Sequence, residues 1–404
     1  MDELAYQRWW QLHTEMLCRI LASCFAILPH TLAIAQEPPR VLVTDSGVET
    51  ATIGPGAPAH TIGLKRHEQT IVLDTAVQSF ALRYVVARDP NNPQAAIPGE
   101  GYIGMPKPEG ANWYASGFFD LRINGESVGK TLIHSLTGRS SEGRATADFV
   151  FDTSQAVVRV RFVAKAGGDC LFAQALLEPK AAIDSVRIAL RCYPSAFVSD
   201  ADRHVLTSTR DFAQGERAEL DVATQWWTLY YDSIYDAGYI GPTRSGAGPC
   251  AALWLPGQTE NARFSVASYG IETVLDLKPT LRDFRFVFFD YAGKKNEAAK
   301  SDLRGRAPAL LEELATFTFT DPSLANWPLP RKLAEIRQVL ASVPQDKDSA
   351  AQYEVWSRKL AAQLELMRSG AAGTIMAEAE TAEIIGQWQS RLPALKLQAL
   401  LNEI

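Results

Sequence analysis

Between residues 144 and 192, apolar and polar side chains alternate with a period of two, and this pattern constrains the fold more than any other feature. In the first alternating run, Phe149 and Phe151 lie on the apolar side. In the second run, Arg159 and Arg161 lie on the side opposite the apolar residues Val160 and Phe162. A period of two places successive side chains on opposite faces of a β-sheet. Short groups of Gly, Pro, Asp and Ser separate four such runs and are typical of turns. We therefore predict four consecutive strands in an antiparallel meander.

Similar runs continue on both sides of this segment. They cover residues 41–53, 70–74, 80–86, 118–123, 126–133, 226–231, 251–255, 264–269, 272–277 and 284–291. Asn124-Gly125 separates two of the runs and predicts a type I′ turn, because both central residues of that turn need positive φ. So many short strands predict a large antiparallel two-sheet sandwich. The Pro- and Gly-rich segment from Asp89 to Gly110 is too long for a simple connection, and we expect it to be functional or mobile.

The number and spacing of these strands from Val41 to Tyr291 resemble the supersandwich of galactose-mutarotase-like and related carbohydrate-active proteins. The resemblance implies the two-sheet fold. A mutarotase-type reaction would require a histidine acid and a glutamate base that face each other across a cleft. His204 and Glu272 are the pair that this implication suggests. The residues by themselves predict no reaction, since the sequence contains no GxSxG, HExxH or CxxC pattern.

Residues 292–314 are rich in Lys, Glu and Ala and are expected to be partly helical, and from Arg331 the apolar pattern has a helical period. Three amphipathic stripes follow, and Pro393 is expected to kink the last helix. They predict a small bundle of three antiparallel helices, or alternatively helices that pair with another chain. The predicted organisation is a sandwich domain over residues 36–292, a linker over 293–330 and an α-helical domain over 331–404.

The first 35 residues have the layout of a signal peptide. The apolar run Ile20–Ala35 follows Arg19 and ends in a small-x-small cleavage pattern. Translation starting at Met16 would give a more compact leader. We expect export to the bacterial periplasm or the extracellular space. The alternatives are a lipid anchor at the lipobox-like Leu21–Cys24 and a buried N-terminal helix.

Composition limits the class of partner. The net charge is −6 and no basic stripe occurs, so nucleic acid is not expected as a ligand. Beyond residue 36 no apolar run is long enough to span a membrane, and the mature chain is expected to have no such span. His60, His67, His134 and His204 do not show metal-ligand spacing, so we predict neither a metal nor a cofactor.

Three cysteines remain after the leader, at positions 170, 192 and 250. In an oxidising compartment, the most favoured pair is Cys170 with Cys192 across neighbouring strands, which leaves Cys250 as an odd thiol. The alternative is that all three are buried and reduced, packing as small apolar side chains.

The strongest candidate binding site is the segment from Trp226 to Cys250, which combines aromatic rings with carboxylates. Aromatic faces stack on sugar rings, and carboxylates accept hydrogen bonds from hydroxyl groups in a pocket. The candidate ligand-binding residues are Trp226, Tyr230, Asp232, Tyr235, Asp236, Tyr239 and Arg244. The alternative is that Trp227, Leu229 and Tyr231 are the buried face of a strand and the rest is a turn.

A second candidate site consists of arginines on the polar faces of predicted strands. They are Arg83, Arg159, Arg161, Arg187 and Arg191. If those strands are neighbours, their guanidinium groups would form a cationic stripe that holds a carboxylate or a sulfate. The alternative is a solvated sheet face on which Asp and Glu pair with the arginines.

These observations leave three functions open. The first is an exported, non-catalytic binding or envelope-associated protein that recognises a glycan or another protein. The second is a carbohydrate-active enzyme with Asp232, Asp236 or His204 as acid or base in a groove of the sandwich. The third is a structural or assembly protein that acts through its helical tail.

Overall fold

The computed structural model describes residues 40–402, apart from 142, 195–199, 238–246, 322, 323, 325, 370 and 371. Antiparallel strands are the most common element of this chain, and the helices follow near the C-terminus. The strands are β1 (Leu42–Asp45), β2 (Glu49–Thr52), β3 (Lys65–Asp74), β4 (Ser79–Asp89), β5 (Asn92–Ala96), β6 (Tyr102–Lys107), β7 (Phe119–Ile123), β8 (Glu126–Ser127), β9 (Ile133–Ser141), β10 (Arg144–Asp152), β11 (Ala156–Lys165), β12 (Cys170–Pro179), β13 (Val186–Cys192), β14 (Arg203–Leu206), β15 (Asp211–Phe212), β16 (Arg217–Leu220), β17 (Trp227–Asp232), β18 (Cys250–Trp254), β19 (Thr259–Val266), β20 (Ile271–Leu277) and β21 (Asp283–Asp290). The helices are α1 (Asn296–Thr316), α2 (Leu329–Ala341), α3 (Lys347–Ser369) and α4 (Thr374–Asn402).

The strands form two sheets. The larger sheet has the order β1-β3-β4-β6-β7-β13-β20-β19-β16, and β2, β5 and β8 attach to it. The smaller sheet has the order β15-β14-β17-β18-β21-β12-β11-β10-β9. Apolar side chains from one face of each sheet meet in a common core. The predicted fold class, a large antiparallel two-sheet sandwich followed by helices, is therefore confirmed.

The predicted four-strand meander is correct for three strands and wrong for the fourth. β10, β11 and β12 pair consecutively in the smaller sheet. β13 instead crosses to the larger sheet, where it pairs with β7 and β20. The two-residue period determines which side chains face the core, but it contains no information about which strand is the neighbour.

Aromatic rings fill the core between the sheets. Phe119 and Phe162, from opposite sheets, meet edge to face with centroids 6.0 Å apart, and Trp113 meets Phe288 in the same way at 5.3 Å. All four side chains are buried. Edge-to-face pairs of this kind add about 0.5–1.5 kcal/mol each beyond the burial of apolar area. This interlocking of rings holds the two sheets face to face.

Helices cover the outer face of the smaller sheet. Leu303 and Ala307 of α1 belong to one cluster with Phe172 and Leu229 of that sheet. Ile375 of α4 packs in a second cluster with strand residues of β10 and β11. The stretch predicted as a linker, residues 293–330, therefore contains a helix that packs on the sandwich.

The last three helices share an apolar core of their own. Ile336 of α2, Leu360 of α3 and Trp388 of α4 meet there, as their amphipathic stripes predict. Pro393 lies inside α4. None of the helices within the described residues is long and apolar enough to cross a membrane.

The Asn-Gly turn takes the predicted conformation. Asn124 has φ 49° and Gly125 has φ 85°, both in the left-handed region that a type I′ turn requires. The returning strand is shorter than predicted, because β8 ends at Ser127 and a 3₁₀ turn (Val128–Lys130) follows. The chain then crosses to β9 in the smaller sheet.

Candidate functional site

Two of the predicted ligand-binding residues, Tyr230 and Asp232, are buried. Tyr230 is 1% exposed and lies between the sheets. Its hydroxyl donates to Thr273 Oγ1 (2.9 Å), and its ring meets Trp113 edge to face at 5.6 Å. Trp226 is half-buried and directly precedes β17, the strand that contains Tyr230. The prediction that Tyr230 stacks on a ligand is wrong, because its ring has no exposed face.

The carboxylates of this segment shape a turn. Asp232 is 1% exposed, and its Oδ1 accepts hydrogen bonds from the amides of Ile234 (2.9 Å) and Tyr235 (2.8 Å). Asp236 Oδ2 accepts from the first amide of α1, that of Asn296, at 3.3 Å. Backbone amides therefore bind one oxygen of each carboxylate, and Asp232 Oδ2 is buried without a partner among the described residues. Tyr239 and Arg244 lie outside the described residues.

The histidine–glutamate pair suggested by the resemblance is also wrong. His204 lies on the outer face of the smaller sheet, where its ring stacks on Tyr231 with centroids 4.9 Å apart. Its two ring nitrogens are each 3.3 Å from a carboxylate oxygen, of Asp202 and of Asp211. Glu272 lies on β20 in the larger sheet, on the face that points away from the core. The sandwich separates the two side chains, so they cannot face each other across a cleft.

The five arginines do not form one stripe, because their strands belong to different sheets. Arg159 and Arg161 lie on the smaller sheet beneath α4, and the other three, Arg83, Arg187 and Arg191, lie on the larger sheet. The anion beneath α4 is a side chain of the same protein. Arg161 Nη2 donates to Glu378 Oε1 at 2.7 Å, and Arg159 donates to the other oxygen of that carboxylate.

This buried network is closed and neutral. Arg161 also holds Asp148 through both carboxylate oxygens, at 2.5 and 2.8 Å. Arg139 bridges Asp148 (2.8 Å) and Asp321 (3.0 Å). Burial opposes ionisation of Asp148, but the charges of Arg161 and Arg139 outweigh it and hold the pKa of Asp148 below its usual value. Three arginines thus balance three carboxylates, which indicates a structural junction between α4 and the sheet.

The outer face of the larger sheet, here called the open face, has the features of a recognition surface. Its side chains are half-buried or exposed along β6, β7, β13, β20, β19 and β16. They are Tyr102, Asp120, Arg122, Arg187, Arg191, Arg217, Glu219, Arg263, Ser265, Glu272 and Asp276. The five strands from β7 to β16 are adjacent, so at ~4.8 Å per strand this row spans about 20 Å. That length suits an extended ligand.

Ion pairs keep the charged groups of the open face in place. Arg191 Nε donates to Glu272 Oε1 at 3.0 Å. Arg187 Nε donates to Asp276 Oδ1 at 2.6 Å, and Arg263 donates to the other oxygen of Asp276. Burial raises the pKa of Asp276, but hydrogen bonds from the two arginines lower it by more. The pKa is therefore below its usual value, and this carboxylate stays ionised. It can accept hydrogen bonds and is poorly suited to donate a proton.

A hollow and a crevice flank the Arg191–Glu272 pair. The hollow has a volume of about 540 Å³, and Glu272 lines it together with Arg217 and Ser265. The crevice has a volume of about 150 Å³, and Arg191 lines it. Both are concave parts of the same face.

The crevice forms where β6 and β7 separate. The two strands pair only at Ile103 and Phe119. Beyond that pair, the segment from Gly99 to Gly101 turns away from β7, and the 3₁₀ turn closes the far side. A Cβ on Gly101 would overlap the carbonyl oxygen of Gly129 in that turn. Glycine at 101 therefore allows the close approach of two backbones that encloses the crevice.

The crevice has an apolar floor and a polar mouth. Its floor includes Phe151 and Val160 of the smaller sheet. Its lining also includes Glu100, which is 8% exposed, and Tyr102, whose pKa burial raises. Arg66 donates to one oxygen of Glu100, and the buried Oε2 has no hydrogen-bond partner among the described residues. A concave pocket with an apolar floor and fixed polar groups is typical of a ligand site.

Three tyrosines, here called the tyrosine cluster, adjoin the end of β13 next to Arg191. Tyr193 meets Tyr114 at a centroid distance of 4.7 Å and Tyr269 at 5.1 Å. Tyr269 is 64% exposed, so much of its side chain reaches solvent. The ring of Tyr193 lies over Gly270, where a Cβ would overlap it. The cluster is therefore a packed aromatic platform at the edge of the open face.

Sequence reasoning identified the crevice only in part. The Asp89–Gly110 segment, expected to be functional or mobile, supplies Glu100 and Tyr102. The tyrosine cluster was missed because its members lie far apart in the sequence. Tyr193 meets Tyr269 through pairing of β13 with β20, and Tyr114 through a bridge between Trp113 and Cys192. Arg191 and Glu272 were both noted, but their register opposite each other depends on that same pairing.

No known family model matches the chain, and no curated protein matches it either. Among solved structures, it is similar to a heparan sulfate lyase from Pedobacter heparinus (TM-score 0.33, 8% identity, 56% of this chain and 36% of that chain). It is also similar to an α-galactosidase from Lactobacillus brevis (0.32, 8%, 64% and 41%) and to a GH36 α-galactosidase from Geobacillus stearothermophilus (0.33, 13%, 56% and 41%). The chain spans less than half the length of these proteins, and similarity this weak identifies no function.

Proposed function

We propose that this protein binds carbohydrate without catalysing a reaction, through the open face of its larger sheet. The observation that carries the proposal is the tyrosine cluster beside the Arg191–Glu272 pair. Exposed aromatic faces stack on the C–H faces of sugar rings, and fixed guanidinium and carboxylate groups exchange hydrogen bonds with sugar hydroxyls. The groups are held by one another, so little side-chain entropy is lost on binding.

The charged groups of this face favour binding over chemistry. Glycoside hydrolysis needs one carboxyl group that carries a proton and one that does not. Asp276 stays ionised between two arginines, and Glu272 accepts from Arg191. Neither carboxyl group is thus placed as a general acid. This arrangement supports recognition.

A glycan array probed with the full-length protein tests the proposal. We expect oligosaccharide binding that weakens about tenfold or more in Tyr193→Ala and Tyr269→Ala, as the loss of an aromatic contact predicts. Trp226→Ala, in the segment first singled out from the sequence, is the matched aromatic control and should bind normally. Absence of binding to any glycan would refute the proposal, and loss of binding in Trp226→Ala alone would move the site to the other sheet.

We also propose that the protein is exported, on the strength of the leader-like sequence alone. Expression with the native N-terminus in a bacterial host, followed by mass spectrometry of each cell fraction, tests this. A periplasmic or secreted chain that begins at Gln36 is the expected result. An intact leader on a cytoplasmic chain would contradict it.

A further inference from the structure

The crevice contains polar groups that the fold leaves without partners. Glu100 lines the cavity and is more than nine-tenths buried, and its buried Oε2 has no hydrogen bond to any described residue. A buried carboxylate oxygen that lacks a donor costs free energy. A ligand hydroxyl or ammonium group would satisfy it.

The mouth of the crevice also has cationic donors. Arg122 uses Nε to bind Asp120 (2.8 Å), and no described residue accepts from its terminal nitrogens. Lys130 ends the 3₁₀ turn, lines the same cavity and is exposed. Arg191 lines the cavity and links it to Glu272 on the open face. The crevice thus combines one hydrogen-bond acceptor that has no donor among the described residues with several positively charged hydrogen-bond donors.

Volume limits the ligand to a small unit. A cavity of about 150 Å³ matches the size of engineered cavities that hold one six-membered ring. The floor of Phe151 and Val160 offers an apolar surface to the C–H face of such a ring. A ring with hydroxyl groups on one side and a negative charge on the other complements this arrangement.

We propose that the crevice binds one sugar residue that carries a carboxylate, a uronic acid, within a longer glycan. In this arrangement Lys130 and Arg122 bind the carboxylate, and a ring hydroxyl donates to Glu100 Oε2. Charge-assisted hydrogen bonds from cationic side chains are roughly twice as strong as neutral ones, so the charged sugar is preferred over its neutral counterpart. This inference rests on the proposed function and adds a specific subsite to it.

Calorimetric titration of the full chain tests the subsite with matched ligands. Methyl glucuronide and methyl glucoside differ only at the carboxylate, as do methyl galacturonide and methyl galactoside. We expect at least one uronide to bind about tenfold more tightly than its neutral partner, with a preference that declines as salt is added.

Three variants assign the effect to the crevice. Lys130→Ala should remove most of the preference for the uronide, because the exposed lysine contributes charge without supporting the core. Lys65→Ala, an exposed lysine on β3 of the same sheet, is the charge-matched control and should keep the preference. Glu100→Gln should weaken binding of the acidic and the neutral sugar alike. Thermal unfolding of each variant confirms that it is folded.

The outcomes separate this inference from the proposed function. Equal affinity for uronides and neutral sugars, or a preference that survives Lys130→Ala, overturns the subsite. If oligosaccharides still bind in a manner that depends on Tyr193, the proposed function stands without it. If no sugar binds, both fail.

Discussion

At the scale of single residues, Asp290 is a buried acid whose environment disfavours its charge. It is 5% exposed at the end of β21, and burial raises its pKa to about 7. Asn112 Nδ2 (2.8 Å) and the amide of Ala292 (3.0 Å) donate to Oδ1, which partly offsets the effect. The folded state therefore holds this proton more tightly than the unfolded chain, whose ordinary value is 3.8. The stability that results is complete below about pH 4 and is lost as the pH rises to about 7.

Asp290→Asn should remove this pH dependence. The amide keeps the shape of the side chain and has no charge to bury, so the variant should be more stable than the parent at pH 8, by up to about 4 kcal/mol. Urea unfolding at pH 5 and pH 8 measures the difference, and the exposed Asp184→Asn serves as control. An unchanged slope of stability against pH would show that Asp290 is not the responsible group.

The cysteines show how topology corrects a pairing predicted from the sequence. Cys170 lies on β12 and Cys192 on β13, which belong to different sheets, so the predicted Cys170–Cys192 pair across neighbouring strands is wrong. All three thiols are buried and free. Burial raises the pKa of the Cys250 thiol, and the neighbouring Cys192 thiol raises it further; Cys250 Sγ lies 3.2 Å from the carbonyl of Asn112.

Oxidation is therefore expected to join Cys192 to Cys250. Refolding in a glutathione buffer lets oxidised glutathione take up the two electrons and two protons that the thiols lose. Peptide mapping after alkylation should find Cys192 linked to Cys250 and Cys170 alkylated, with a higher melting temperature than the reduced protein. A Cys170–Cys192 peptide, or three alkylated cysteines, would contradict the expected Cys192–Cys250 link.

At the scale of elements, the turn between β7 and β8 depends on one glycine. Gly125 has φ 85°, and a Cβ there would meet no atom within 4 Å. Gly125→Ala should therefore destabilise the protein by backbone strain alone, by about 1 kcal/mol. Gly257→Ala, which also has open space around the Cβ and no positive φ, is the matched control. Equal unfolding free energies for the two variants would argue against a type I′ turn.

The elements also show how far the sequence could be interpreted. The apolar period predicts β10, β11 and β12 and the helices α2 to α4, since local spacing alone decides which side chains are buried. It cannot predict that β13 leaves its predecessor to pair with β7 and β20, because that choice depends on packing between distant segments. The crevice cannot be predicted for the same reason. It depends on β6 pairing with β7 at one position and then separating from it, and both depend on contacts between distant segments.

At the scale of the whole molecule, α4 is joined to the sandwich by charge. Glu378 accepts from both Arg159 and Arg161, and burial opposes its ionisation less than these two charges favour it, so its pKa is lowered. A carboxyl group whose pKa is lowered by folding stabilises the folded state at any pH above the pKa that it has in the unfolded chain. That stabilisation is lost as the pH falls through the pKa that the group has in the folded state.

Glu378→Gln should leave the buried arginines with one negative charge too few. The expected loss is about 3–5 kcal/mol at pH 7, together with a weaker dependence of stability on acid. Urea unfolding followed by circular dichroism measures both effects, and exposed Glu383→Gln on the same helix is the control. If the two variants were equally stable, α4 would be held by apolar contacts alone.

The predicted site shows the same limit at this scale. Aromatic residues in the segment from Trp226 to Cys250 indicated a binding surface. Tyr230 is instead buried in the core, and Asp232 accepts a hydrogen bond from an amide of the following turn. The open face emerges only when the larger sheet brings β13 next to β20. Composition can suggest sugar recognition, but the strand order decides which aromatic rings reach solvent.

Hydroxyl-radical footprinting of the unmodified protein with its best oligosaccharide tests the central claim most directly. Mass spectrometry then reports the modification of each tyrosine with and without ligand. Binding at the open face predicts that Tyr269 is protected while Tyr235, in the turn after β17, stays as reactive as before. Protection of Tyr235 with Tyr269 unchanged, or no protection by any glycan, would contradict the claim that the larger sheet is the recognition surface.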